Sequence, residues 1–196
     1  MTRAYEEMSA HDASRRLRRA LLAAGLCAAC LAPGSASAFW NVAVGQPVRD
    51  RDMTALDGGR QSLLGKGRVT VFVVFRPKHD RSLQTLREVA RLEREWAGRP
   101  VRFVAVTSAS YAPAAVRATV KEAGLRAPIL LDQRDALSAE LGVDVRPVVA
   151  ITDDAHRLAA YEPFLSVNMH DALESHLETL LGTASGPRVA VAGQAR

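Results

Sequence analysis

The stretch Val69-Thr-Val-Phe-Val-Val-Phe75 limits the possible fold more than any other part of this chain. Every residue in it is apolar or β-branched, and no polar face alternates with an apolar one. A strand of that kind hides both faces, so it belongs inside a sheet that is covered on both sides. Gly65 and Gly67 break the chain before it and Arg76-Pro77-Lys78-His79-Asp80 breaks it after, which confines the run to one strand.

Helical spacing begins directly afterwards. Ser82 is placed to cap a helix running to about Ala97, with Leu83, Leu86, Val89, Ala90 and Trp96 recurring on one face and Gly98 ending it. Val101 to Thr107 reads as a second strand, and Pro113 opens a helix that ends at Ala123 before Gly124. Pro128 to Leu131 is a third strand, after which Asp135 caps a short helix through Leu141. Val148 to Ile151 and Leu158 to Tyr161 form a hairpin around Asp153-Asp154-Ala155-His156. A last helix spans Val167 to Leu181, with Gly182 as its stop. Upstream, Val48 to Leu56 and Gln61 to Leu64 flank the turn Asp57-Gly58-Gly59-Arg60 and read as a loose hairpin. This order predicts one α/β domain: a central mixed sheet with helices on both faces and an N-terminal hairpin extension.

The first residues read as an export leader. Ser14-Arg-Arg-Leu-Arg-Arg19 is a positive opening, Ala20 to Leu31 an apolar core, and Ala36-Ser37-Ala38 a small-residue cleavage site before Phe39. The apolar core is shorter than the roughly 20 residues of a membrane span. Ser14-Arg15-Arg16 leaves a twin-arginine route open, and Ala28-Ala29-Cys30 leaves lipidation of Cys30 open. The expected organisation is a signal peptide over 1–38, a domain over 39–184 and a flexible tail over 185–196. Cys27 and Cys30, the only cysteines, would leave with the leader, and burial alone would hold the exported domain together.

Charge excludes some partners. Five arginines and three acids depart with the leader, so the formal net charge falls from +5 to +3. Arginines alternate with acids along Arg87 to Glu95, which describes a solvated helix face and not a nucleic-acid stripe. No nucleic acid and no integral membrane span are expected once the leader is removed.

The buried strand leading into Arg76 to Leu83, the hairpin ending in Asp57-Gly58, and Val145-Arg146-Pro147-Val148 before the last hairpin form one pattern over roughly Gly45 to Gly182. On these residues the chain resembles the thioredoxin superfamily. It is similar to exported TlpA-like thioredoxins and to the alkyl hydroperoxide reductase/thiol-specific antioxidant group. The TlpA-like match sets the usual Cys-x-x-Cys on Asp80, Arg81, Ser82 and Leu83. The peroxiredoxin-like match sets threonine on Arg81 and cysteine on Gln84. Both chemistries react through a thiolate, which none of these residues supplies. The resemblance further implies that Pro147 is the superfamily's cis-proline, the alternative being a trans proline at a strand start. It also implies a peptide groove along Arg76, Pro77, Lys78, His79, Asp80, Arg146 and Pro147.

Other residues permit other chemistry. His79, between Lys78 and Asp80, can serve as a general base or metal ligand, or belong to a solvated loop. Ser82 beside His79 lacks any accompanying oxyanion motif. His170 and His176 lie six residues apart, about 240° around a helix, and cannot share a metal, while Met169 reads as filler. Trp40 reads as an anchor for the first segment or for a partner. The expectation is a redox-inactive binding module with a protein or peptide partner and no cofactor. The alternatives are a thiol-disulfide oxidoreductase or peroxiredoxin-type enzyme, and a metal carrier using His79.

Overall fold

In the computed structural model of the protein, which describes residues 41–163 and 168–184, the apolar run forms strand β3 (Val69–Val74) at the centre of a mixed sheet. The proposed leader, Cys27, Cys30, Phe39, Trp40, Val167 and the tail over 185–196 lie outside the described residues. The other strands are β1 (Asp52–Ala55), β2 (Arg60–Ser62), β4 (Val101–Ser108), β5 (Ile129–Asp132), β6 (Val148–Thr152) and β7 (Leu158–Pro163). They lie in the order β2-β1-β5-β4-β3-β6-β7. β3, β4 and β5 run parallel, and β6, β7, β1 and β2 complete the sheet antiparallel. The helices are α1 (Asp80–Glu95), α2 (Pro113–Ala123), α3 (Ala136–Leu141) and α4 (Met169–Ala184), with a short 3-10 turn over Gln133–Asp135.

The absence of alternation in β3 has a direct structural counterpart. Val71, Val73 and Phe75 face one core with Leu86, Val89 and Leu92 of α1, Val116 and Val120 of α2, and Leu173 and Leu177 of α4. Phe72 and Val74 face the other, with Leu63, Leu64, Val104, Leu130, and Leu137 and Leu141 of α3. Both faces are therefore covered, and full burial of each large apolar side chain contributes roughly 1.5–3 kcal/mol. Three helices share one face, whereas α3 and the N-terminal segment close the other. An Arg51–Glu140 ion pair and the Asn41 amide, which donates to the Ala139 carbonyl at 3.0 Å, tie that segment to α3.

Three local expectations are corrected. Ser82 does not cap α1: the helix begins two residues earlier, His79 is the N-cap, and Ser82 is buried in the first turn. Asp135 takes the N-cap position of α3, but its carboxylate does not cap the helix; the buried Asp132 carboxylate accepts the Leu137 and Ser138 N–H groups at 2.8 and 3.0 Å, and the Ser138 hydroxyl at 2.8 Å. Asp135 instead has φ +53 and no capping bond. Gly182 does not stop the last helix, which continues to Ala184. Glycine disfavours a helix interior by only about 1 kcal/mol, less than the packing of Met169, Leu173 and Leu177 contributes. By contrast, α2 ends as expected, Gly124 taking φ +74 as a left-handed cap.

Candidate functional site

Strand register decides which loops meet. Val74 pairs with Val148, so the chain leaving β3 at Phe75 and the chain entering β6 at Pro147 lie side by side at one edge of the sheet. The end of β3 is held from the other side by β4. Phe75 donates its N–H to the Val106 carbonyl at 3.0 Å, and its own carbonyl accepts the Thr107 hydroxyl at 3.0 Å.

The loop from Arg76 to His79 is fixed by two hydroxyls. The Arg76 N–H donates to Ser82 Oγ at 3.1 Å, folding the loop back over the first turn of α1. The Lys78 N–H donates to Thr119 Oγ1 at 3.2 Å, and that hydroxyl donates to the Ala115 carbonyl at 3.0 Å within α2. Lys78 has φ +56, a left-handed conformation that costs a residue with a β-carbon about 1 kcal/mol or more. Its hydrogen bond to α2 offsets that cost. Pro77 is buried beneath the loop, while Arg76 and Lys78 are exposed on either side of it. His79 closes the loop, its carbonyl accepting the Leu83 N–H at 3.0 Å.

On the opposite side, the Arg146–Pro147 peptide is cis. The Arg146 guanidinium donates through Nη2 to Asp135 Oδ1 at 3.2 Å; the arginine side chain is 15% exposed and the aspartate 49%. Arg146 Nε and His79 Nδ1 are buried without a hydrogen-bond partner among the described residues. Val145, just before, is one of the exposed large apolar side chains.

The residues expected to line a groove therefore meet as two segments, Arg76 to Asp80 and Arg146-Pro147. Asp135 reads in the chain as a helix cap, and only the tertiary structure turns it toward Arg146. Among the described residues no hydrogen bond joins Ser82 and His79: Ser82 Oγ accepts the Arg76 N–H, and His79 Nδ1 has no partner. His170 and His176 belong elsewhere: His170 Nε2 meets Glu95 Oε2 at 2.7 Å and His176 Nε2 lies 4.0 Å from Glu162. Met169 is in the core. Among the described residues, no group of three His, Cys, Asp or Glu side chains is arranged to hold a metal ion.

Chemically, this edge offers two exposed cations, Arg76 and Lys78, and two buried nitrogen atoms without partners among the described residues. Positions 80–83 hold a carboxylate, a guanidinium, a buried hydroxyl and a leucine where the resemblance would set a reactive thiol. Among the described residues, no helix is long and apolar enough to cross a membrane.

No family model matches the chain, and no curated protein sequence does. Solved structures do. A Chlorobium tepidum protein assigned as the thiol:disulfide interchange protein DsbE superposes with a TM-score of 0.65 at 14% identity, covering 72% of this chain and 99% of its own. A second Chlorobium tepidum protein, a thiol:disulfide interchange protein of the thioredoxin family, gives 0.60 at 16% identity over 71% and 99%. A secreted Mycobacterium tuberculosis disulfide oxidoreductase homologous to Escherichia coli DsbE gives 0.57 at 16% identity over 66% and 96%. At such low identity these superpositions show shared architecture alone, and with the mixed sheet, its strand order and helices on both faces, the chain has a thioredoxin-like α/β fold.

Proposed function

We propose that this protein is an exported thioredoxin-fold binding module whose loop between β3 and α1 is inert toward thiols. The leader over 1–38 would be removed after Ala38, leaving an envelope domain without cysteine that ends in the tail over 185–196. Its site is the groove formed by Arg76, Pro77, Lys78, His79, Asp80, Arg146 and Pro147. The observation that carries this reading is the pair of positions where the TlpA-like match sets its cysteines: they hold exposed Asp80 and half-buried Leu83, neither of which can supply a thiolate.

Such a groove binds an extended peptide through backbone hydrogen bonds and side-chain pockets without any covalent step. Exposed Arg76 and Lys78 would add attraction for acidic partners. The thioredoxin-like fold of the interchange proteins supports a second reading, a thiol-disulfide oxidoreductase. That reading requires retained Cys27 and Cys30 or a thiol supplied by a partner.

Two assays separate the readings. The protein starting at Phe39 should give no dithiol-dependent turnover of a disulfide substrate, and measurable turnover would overturn the binding-module reading. Envelope proteins captured on that domain should be lost in Pro147→Ala and in Arg76→Glu/Lys78→Glu. Unchanged capture by both variants would remove the groove from consideration.

A further inference from the structure

At the opposite end of the sheet, the turn Gly65–Arg68 enters β3 and lies beside Arg102 of β4, which is paired in parallel with Thr70. The turn, the end of β2 and Arg102 enclose a cleft of about 530 Å3 bordered by Asp50, Gln61, Ser62, Lys66, Arg68 and Arg102. Three cations therefore face one carboxylate.

That carboxylate is already engaged. Asp50 accepts the Ser62 hydroxyl at 2.6 Å, the Leu64 N–H at 2.9 Å and the Arg51 N–H at 2.8 Å. It makes no ion pair with Lys66, Arg68 or Arg102, and among the described residues none of these cations pairs with any other carboxylate. Arg102 is held in place: Nη2 donates to the Ser62 carbonyl at 2.8 Å, and the side-chain stem packs against Gly65 so closely that a β-carbon there would come within 3.1 Å of its Cδ. Arg102 Nε is buried with no acceptor. Burial lowers the Arg102 pKa from the ordinary arginine value; Asp50 opposes this and Arg68 adds to it. Crowded like charges beside a preset guanidinium, with no carboxylate left to pair them, are features that a bound oxyanion would relieve.

We propose that this cleft is a binding site for a phosphate group, either free or carried on a small molecule, with Arg102 as the fixed donor and Lys66 and Arg68 as mobile counter-charges. Its volume lies within the range of small-ligand sites and exceeds what one phosphate fills. The site is independent of the groove, which lies at the carboxyl ends of β3 and β4, whereas Gly65–Arg68 and Arg102 are at their amino ends.

The test is a calorimetric titration of the folded domain with inorganic phosphate, repeated at low salt and at about 0.15 M. Saturable one-to-one binding that weakens with salt is expected. Affinity should fall at least about tenfold in Arg102→Gln, as expected for loss of a charged hydrogen bond. The double variant Lys66→Gln/Arg68→Gln should weaken it similarly; both side chains are exposed, so this variant keeps the test valid if Arg102→Gln fails to fold. Non-saturating heats, or affinity unchanged in the double variant, would mean an adventitious ion only and overturn the site. A parallel assay uses phosphatidic acid vesicles. Capture that inorganic phosphate competes away assigns the group to a lipid headgroup, and phosphate binding without vesicle capture assigns it to a soluble ligand. Capture that phosphate does not displace would overturn the cleft as the binding site.

Discussion

Asp135 holds Arg146 at 3.2 Å, joining the connection after β5 to the residue that precedes cis Pro147. The pair is asymmetric in burial, because the guanidinium is mostly enclosed and the carboxylate is half in solvent. Loss of the carboxylate would leave a partly buried cation with Nε already unpartnered. The pair thus fixes the position of Arg146 directly before Pro147.

Asp135→Ala should accordingly destabilise the domain by about 1 kcal/mol, the upper part of the range for partly exposed ion pairs. It should also weaken capture of a groove partner. Asp132→Ala should cost about 1–2 kcal/mol through loss of the helix cap, and should raise amide exchange specifically at Leu137 and Ser138. Denaturant midpoints and exchange rates check both. If Asp135→Ala, and not Asp132→Ala, released those amides, the assignment of the cap would be wrong.

The Lys78–Thr119 contact predicts opposite outcomes for two substitutions in the same loop. Thr119→Val removes the acceptor of the Lys78 N–H and should destabilise by about 1–2 kcal/mol. Lys78→Gly relaxes the left-handed backbone at φ +56 and should be neutral or stabilising, by up to about 1 kcal/mol. Equilibrium unfolding in urea measures both, and a strongly destabilised Lys78→Gly would contradict the strain at this position.

Phe72 occupies the face of β3 opposite α1, enclosed by the second core. Phe72→Ala should cost about 3–5 kcal/mol, enough to unfold a marginal domain. Phe72→Leu should cost much less, since it keeps most of the apolar volume. Thermal unfolding of the two variants tests whether this smaller core bears on stability as much as the one under α1, α2 and α4.

Two carboxylates predict the acid limb of stability. For Asp50, burial pushes the pKa up, but the Ser62 hydroxyl and the Leu64 and Arg51 N–H groups outweigh it and hold the value below 3.8. The Glu95 carboxyl is held below 4.5 by hydrogen bonds from Arg91 and then His170. A pKa depressed by folding means that the unfolded chain binds more protons between the two values, so stability rises with pH there. These contributions are present in full above the ordinary carboxylate values and are lost as pH falls through the folded ones. Urea midpoints measured from neutral pH down to about pH 3 should fall steeply only below about pH 4.5, and less steeply in Asp50→Asn.

Much of this architecture is legible in the chain because it depends on neighbours in sequence. A non-alternating β-branched run has to be an inner strand, Pro113 and Gly124 bound α2 by backbone geometry alone, and Asp57-Gly58 turns a hairpin. The missing thiol at positions 80–83 is likewise a property of sequence. The polar partners are a different matter. Ser82 and Asp135 have the composition of helix caps, and each was drawn to a distant group instead, Ser82 to the Arg76 N–H and Asp135 to Arg146. Asp132, which does cap α3, ends a strand and carries no local sign of that role. Periodicity and turn chemistry act over a few residues, so the sequence by itself determined the elements and their order. Which hydroxyl or carboxylate meets which donor depends on how β3, β5 and β6 are set side by side, and only the tertiary structure decided that, because those partners lie on separate stretches of chain brought together by burying both faces of the sheet.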